Sequence, residues 1–128
     1  MKTIEVAAGV VRDEHGRVLI CQRIGSLDGL WEFPGGKREA SESFAQCLER
    51  ELMEELDLPI TPVGELAQVQ HSDGQKQILL VFVAAKALAA APLALRVHAD
   101  AQWVRPKDLE RYTFCPADQT FVAMKLIQ

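Results

Sequence analysis

Three glutamates, Glu51, Glu54 and Glu55, stand at positions i, i+3 and i+4. On a helix that spacing puts their carboxylates on one face. The surrounding pattern is helical from Ser43 to Leu56, where Phe44, Leu48, Leu52 and Leu56 recur every four residues with Ala45 on the same side. This apolar stripe lies next to the acidic face, so the carboxylates fall at the edge of the buried surface. Like charges at i,i+4 repel by roughly 0.2–0.5 kcal/mol in an isolated helix. A hard divalent cation converts that repulsion into coordination, since Mg²⁺ takes oxygen ligands and bridges to substrate phosphates. The competing reading is a solvated acidic face, with Arg50 in ordinary salt bridges.

The segment before the helix adds to the first reading. Pro34-Gly35-Gly36 lets the backbone approach a ligand closely and expose a carbonyl, and Lys37 offers a cation to phosphate. A plain turn followed by a surface lysine accounts for the same four residues.

Taken together, the segment reads Gly36, five residues, Glu42, seven residues, then Arg50-Glu51-Leu52-Met53-Glu54-Glu55-Leu56-Asp57-Leu58. It resembles the signature of the Nudix hydrolases, G-x5-E-x7-R-E-U-x-E-E-x-G-U, where U is a bulky aliphatic residue. Asp57 stands in place of the last glycine, at a helix end where a left-handed residue is expected. The resemblance implies an α/β (α+β) fold, the Nudix α/β/α sandwich with a mixed central sheet. It further implies Mg²⁺, or Mn²⁺ in its place, held by Glu51, Glu54 and Glu55 with the carbonyl of Gly35. In the same pattern Arg50 orients a metal-binding glutamate, and Glu42 has a structural or secondary metal role.

Leu30-Trp31-Glu32-Phe33-Pro34-Gly35-Gly36-Lys37 is similar to the entry to the signature in the MutT and CTP-pyrophosphohydrolase branch. Members of that branch cut oxidised or modified nucleoside triphosphates, such as 8-oxo-dGTP or modified (d)CTP, to the monophosphate and pyrophosphate, in the service of DNA repair. By the same resemblance Cys115-Pro116-Ala117-Asp118 brings Asp118 to the base edge, Arg23 beside the nucleotide and Phe33 to the base pocket, with Lys37 toward phosphate. Each has a plainer alternative: Phe33 as core, Asp118 as a helix N-cap, Arg23 as a strand-end charge. One departure stands out. MutT-like members often carry a late glutamate six residues before a tryptophan; counted from Trp103 that position is Val97, which neither binds metal nor accepts a proton. Asp100 and His98 are the nearby candidates, and both also read as surface residues.

The elements that must position these groups follow from periodicity. Ile4–Val11 and Val18–Gln22 read as strands around the hairpin turn Asp13-Glu14-His15-Gly16, where His15 is a turn residue. Arg23–Gly29 is looser, and Pro34-Gly35-Gly36 stops the run Leu30–Phe33. Ser41 and Ser43 are both possible N-caps of the helix, and Pro59 and Pro62 prevent its continuation past Leu58. Strands are expected at Glu65–Gln70 and Gln75–Lys86, joined through Ser72-Asp73-Gly74, with the second apolar on both faces and so central. Leu88–Leu95 leads by a loop into a strand near Leu93–Val97, and Trp103-Val104 is another short strand. Pro106–Leu109 starts a helical turn, and Ala117–Ile127 reads as a helix.

At 128 residues, with neither an internal repeat nor a linker, the chain fits a single domain spanning 1–128. Its formal charge of −4 argues against gripping long nucleic acid, without excluding a nucleotide substrate. Cys21, Cys47 and Cys115 are odd in number and lack metal-ligand spacing, so they read as reduced, mostly buried thiols of a cytoplasmic protein. No leader pattern opens the sequence, and no apolar run approaches the ~20 residues of a membrane span. The expected partner is a nucleoside triphosphate, with the protein a monomer or a homodimer. Two rivals remain: a Nudix hydrolase of ADP-ribose or dinucleoside polyphosphates, disfavoured by small size, and a non-catalytic Nudix-fold binding module. The intact glutamates speak against the second.

Overall fold

The computed structural model describes residues 2–88 and 92–128. In chain order the elements are β1 (Lys2–Arg12), β2 (Val18–Arg23), β3 (Trp31–Glu32), β4 (Gly35–Lys37), α1 (Phe44–Leu56), β5 (Ile60–Ser72), β6 (Lys76–Ala87), β7 (His98–Val104), a 3₁₀ helix (Pro106–Arg111) and α2 (Pro116–Ala123). The strands form one curled sheet in the order β3-β2-β1-β6-β5, with β4 also paired to β1 and β7 to β2. β1 and β6 run parallel in unbroken register from Lys2↔Lys76 to Arg12↔Lys86, while the other pairs are antiparallel, so the sheet is mixed.

Alternation along the strands sorts the apolar residues onto two faces. Ala7, Val11, Leu19, Cys21, Val81 and Val83 pack under α1, against Leu48, Leu52 and Leu56. Their neighbours Ala8, Val10, Val18, Ile20 and Phe82 pack on the other face, under α2, with Phe121 and Val122. Helices on both faces of a mixed sheet give the expected α/β/α sandwich.

The helix that carries the glutamates is fixed at both ends. Ser43, not Ser41, is the N-cap: its side chain accepts from the Gln46 amide at 3.0 Å, and Gln46 Oε1 accepts from the Ser43 amide at 2.8 Å, a complete capping box. Asp57 closes the other end in the left-handed region, at φ 56° and ψ 37°, and the Leu58 amide returns to the Leu52 carbonyl.

Four expectations change. Pro34-Gly35-Gly36 does not merely stop a run: Gly35–Lys37 form a strand paired with Val6–Ala8. No strand covers 93–97; the strand begins at His98 and runs to Val104, absorbing the expected Trp103-Val104. Residues 89–91 of the Leu88–Leu95 stretch lie outside the described residues. The C-terminal helix ends at Ala123 rather than Ile127, because Lys125 turns at φ 59° and Ile127 folds back against the α2-side core. The fourth change is the length of β5, which starts at Ile60 and accommodates Pro62 because it pairs only with β6 and so lies at the sheet edge.

Candidate active site

The Gly-Gly strand and the acidic helix meet because glycine is the only residue that fits between them. A Cβ on Gly35 would run into the Ala7 carbonyl, and one on Gly36 would overlap the Glu51 carboxylate. β4 therefore lies tight against β1, and Glu51 is pressed against β4. Cys47 adds a third tie, donating from Sγ to the Gly36 carbonyl at 3.4 Å.

Arg50 organises the carboxylates around it. Its Nε donates to Glu42 Oε2 at 2.5 Å and its Nη2 to Glu42 Oε1 at 2.8 Å, a bidentate pair. Its Nη1 donates to Glu51 Oε1 at 2.9 Å and reaches Glu54 Oε2 at 3.3 Å, and Nη2 also meets the Lys37 carbonyl at 3.1 Å. The bonds from Arg50, then the Glu39 amide, hold the Glu42 carboxyl down at about 2. Burial outweighs Arg50 at Glu51 and pushes that carboxyl up.

Glu55 is outside this arrangement. Its Oε1 is buried and has no hydrogen-bond partner. Burial, then the like charge of Glu51, pushes its carboxyl up to about 7, while His98 pulls the other way. It lies at the wall of a cleft of about 320 Å³ whose lining also includes Gly35, Gly36, Lys37, Glu32 and His98. Glu32 is doubly held there, accepting from Arg23 Nη1 at 2.9 Å and facing His98 Nε2 at 2.9 Å.

These groups suit a hard divalent cation. The donor set is carboxylate and carbonyl oxygen, the glycine cradle brings Glu51 to the Gly-Gly backbone, and Glu55 keeps a buried oxygen without a partner. Among the described residues no three His, Cys, Asp or Glu side chains are drawn together as a metal cluster. Arg50 accounts for part of that spacing, since its guanidinium takes up both Glu51 and Glu54.

A family model, the NUDIX domain, matches residues 2–124. The chain belongs to the NUDIX family. It is 34% identical over 131 residues to a CTP pyrophosphohydrolase of Escherichia coli, an alignment spanning 98% of this chain and 96% of that one. It is 42% identical over 83 residues to an 8-oxo-dGTP diphosphatase of Proteus vulgaris, covering 63% of this chain and 74% of the other. Among solved structures, the E. coli ORF135 protein in solution superposes with a TM-score of 0.79 at 35% identity, covering 98% of this chain and 92% of that one.

Within this NUDIX domain Arg50 gathers Glu51 and Glu54, Glu51 lies against Gly36, and Glu55 lines the cleft with Gly35 and Lys37, apart from the other two glutamates. Arg23 lines the same cleft, but its guanidinium is already engaged by Glu32 and by the Ser26 carbonyl. One expectation changes, and one plainer alternative falls away. The Phe33 side chain does not line the cleft: it is 3% exposed and packs among Phe82, Phe114 and Phe121 in the α2-side core. Asp118 is not an N-cap, a place taken by Cys115; it sits in the first turn of α2, buried, and accepts from the Phe33 amide at 3.0 Å. Burial pushes its carboxyl up to about 7. All three cysteines are free and buried.

His98 and Glu32 are the residues the sequence undersold. His98 reads as surface yet is 5% exposed, and Glu32 received no role of its own. The signal for Glu32 was present: a carboxylate inside Leu-Trp-Glu-Phe costs free energy unless paired. His98 gave no comparable signal, because a register shift between Gln22 and Arg23 sets it opposite Arg23 and leaves Ala99 as the extra residue.

Proposed function

We propose that this NUDIX domain is a nucleoside triphosphate pyrophosphohydrolase that removes oxidised or modified nucleotides, of the 8-oxo-dGTP or modified (d)CTP kind, in the cytoplasm. The observation that carries the chemistry is Glu55, a half-buried glutamate whose Oε1 is buried and unpaired in the cleft that the Gly-Gly strand also lines. The substrate class is supported by relatives named CTP pyrophosphohydrolase and 8-oxo-dGTP diphosphatase.

In this reading Glu54 and Glu55 hold the divalent cation together with the Gly35 carbonyl, and Glu51 shares that task or takes the proton of the attacking water. The cation, when bound, neutralises the phosphate chain and acidifies water. Arg50 keeps Glu51 and Glu42 in place through the bonds described above. Water attacks the β-phosphorus, and nucleoside monophosphate and pyrophosphate leave. Lys37 and Arg23 face phosphate from the cleft wall, and Asp118 reads the base edge beside the Phe33 backbone.

Initial rates on CTP, dCTP, 5-methyl-dCTP, dGTP, 8-oxo-dGTP, ADP-ribose and a dinucleoside polyphosphate, each with and without Mg²⁺, test this. Mg²⁺-dependent pyrophosphate release, fastest on a modified triphosphate, is the expected result. Faster cleavage of ADP-ribose or of the dinucleotide would overturn the substrate class, and no turnover on any of them would overturn the enzymatic reading.

A further inference from the structure

Two buried polar atoms of the cleft-lining residues have no partner: Glu55 Oε1 and His98 Nδ1. They come from different elements, α1 and β7, and are hidden from water as well as from protein donors and acceptors. A buried group left unsatisfied in this way costs about 1–3 kcal/mol, so two from residues that line one cleft and feel each other's charge point to an occupant.

The chemistry of the His98 ring narrows what that occupant is. Its Nε2 lies 2.9 Å from Glu32 Oε2, and a carboxylate there accepts, so Nε2 carries the proton. That leaves Nδ1 as the ring nitrogen able to present a lone pair. Glu32 is itself fixed by Arg23 Nη1 at 2.9 Å, so the imidazole is held in one tautomer and one orientation. A buried histidine whose other ring nitrogen donates to a fixed carboxylate is the arrangement seen at histidine metal ligands. Val97, next in the chain and also at the cleft wall, offers no donor atom.

We infer that His98 supplies a nitrogen ligand, through Nδ1, to the divalent cation that Glu55 holds, and that this makes the site favour Mn²⁺ over Mg²⁺. The inference rests on the metal reading proposed above. Imidazole nitrogen is a borderline donor that Mg²⁺ takes poorly; Mn²⁺, though the weakest binder of the first-row divalent ions, takes it better than Mg²⁺ does. Glu32 becomes a positioning residue, setting the ring that ligates.

The test is electron spin-echo modulation on the full chain titrated with Mn²⁺, before any substrate is added. The expected spectrum shows coupling to one histidine nitrogen, and His98→Gln, checked by circular dichroism for an intact fold, loses it. The same variant should narrow the Mn²⁺ to Mg²⁺ affinity ratio by ~10-fold or more. Mn²⁺ bound without nitrogen coupling, or coupling that survives in His98→Gln, overturns the inference and leaves the metal reading standing. No Mn²⁺ binding at all overturns both. A wild-type spectrum without the coupling decides against the inference by itself, and where the coupling is present and His98→Gln does not fold, His98→Asn takes its place, with loss of the coupling expected and its survival overturning the inference.

Discussion

The backbone amide of Phe33 donates a 3.0 Å hydrogen bond to Asp118 Oδ1 across 85 residues of chain. That one bond ties the segment leading into the Gly-Gly strand to the first turn of α2. Burial pushes Asp118 up to about 7, with the Phe33 amide pulling the other way. The unfolded chain releases this proton near pH ~4. Stability from this group is thus fully present below about pH 4 and is lost as pH rises through about 7. Asp118→Asn keeps an oxygen for Phe33 and cannot ionise. Its melting temperature should gain on wild type more at pH 8 than at pH 5, by the equivalent of roughly 1–4 kcal/mol. Equal shifts at the two pH values would show that Asp118 does not titrate in the folded protein.

Glu55→Gln removes a carboxylate that burial and Glu51 push up to about 7. The sign is the same as for Asp118, so the variant should melt higher than wild type above pH 7. Turnover should fall by more than ~100-fold, since even partners one shell out from a metal cost 10–100-fold. Steady-state rates and thermal melts on one preparation check both, and wild-type rates in this variant would remove Glu55 from the proposed metal site.

The two glycines should fail differently. Alanine at 36 meets the far end of the Glu51 side chain, which has rotatable bonds, whereas alanine at 35 meets the Ala7 backbone, which has none to spare. Gly36→Ala should stay folded and lose roughly 10–100-fold in cation affinity. Gly35→Ala should lose ~1–3 kcal/mol or more of stability. Calorimetric Mn²⁺ titration and melting curves separate the two; a Gly36→Ala protein that binds cation normally would mean the cradle is not needed.

At the end of α1, Asp57 holds φ 56° without the freedom of glycine. Asp57→Gly should stabilise by about 0.5–1 kcal/mol with unchanged kcat. A lower denaturation midpoint would show that the aspartate makes a compensating interaction.

The parts of this protein legible in the sequence are those decided within a few residues. The glutamate spacing, the apolar stripe and the capping serines all lie within one segment, so α1 could be read directly, with only the choice between Ser41 and Ser43 as its cap left to the structure. The apolar run of β6 marked it as central for the same reason. What escaped was decided between distant segments. The ring of Phe33 joins the core because Phe114 and Phe121 fold over it. His98 is buried because β7 shifts register against β2, and its bond to Glu32 spans 66 residues. Gly35–Lys37 is a strand only because β1 lies beside it, and Pro-Gly-Gly by itself says turn. The early end of α2 follows from Lys125, and nothing in the residue types there announces a left-handed turn.

The parallel seam between β1 and β6 joins Lys2 to Lys76 and Arg12 to Lys86. During synthesis, therefore, the first strand emerges long before its main partner exists, and only the β2 hairpin and the β4 return can shelter it in the interval. Helix α1 is local and can form early, but the face it needs is complete only once β6 has been made. Pairing at such separation is slow to form. The making of β6 and the start of β7, rather than helix formation, thus sets the moment at which the acidic helix acquires the wall that turns it into a site.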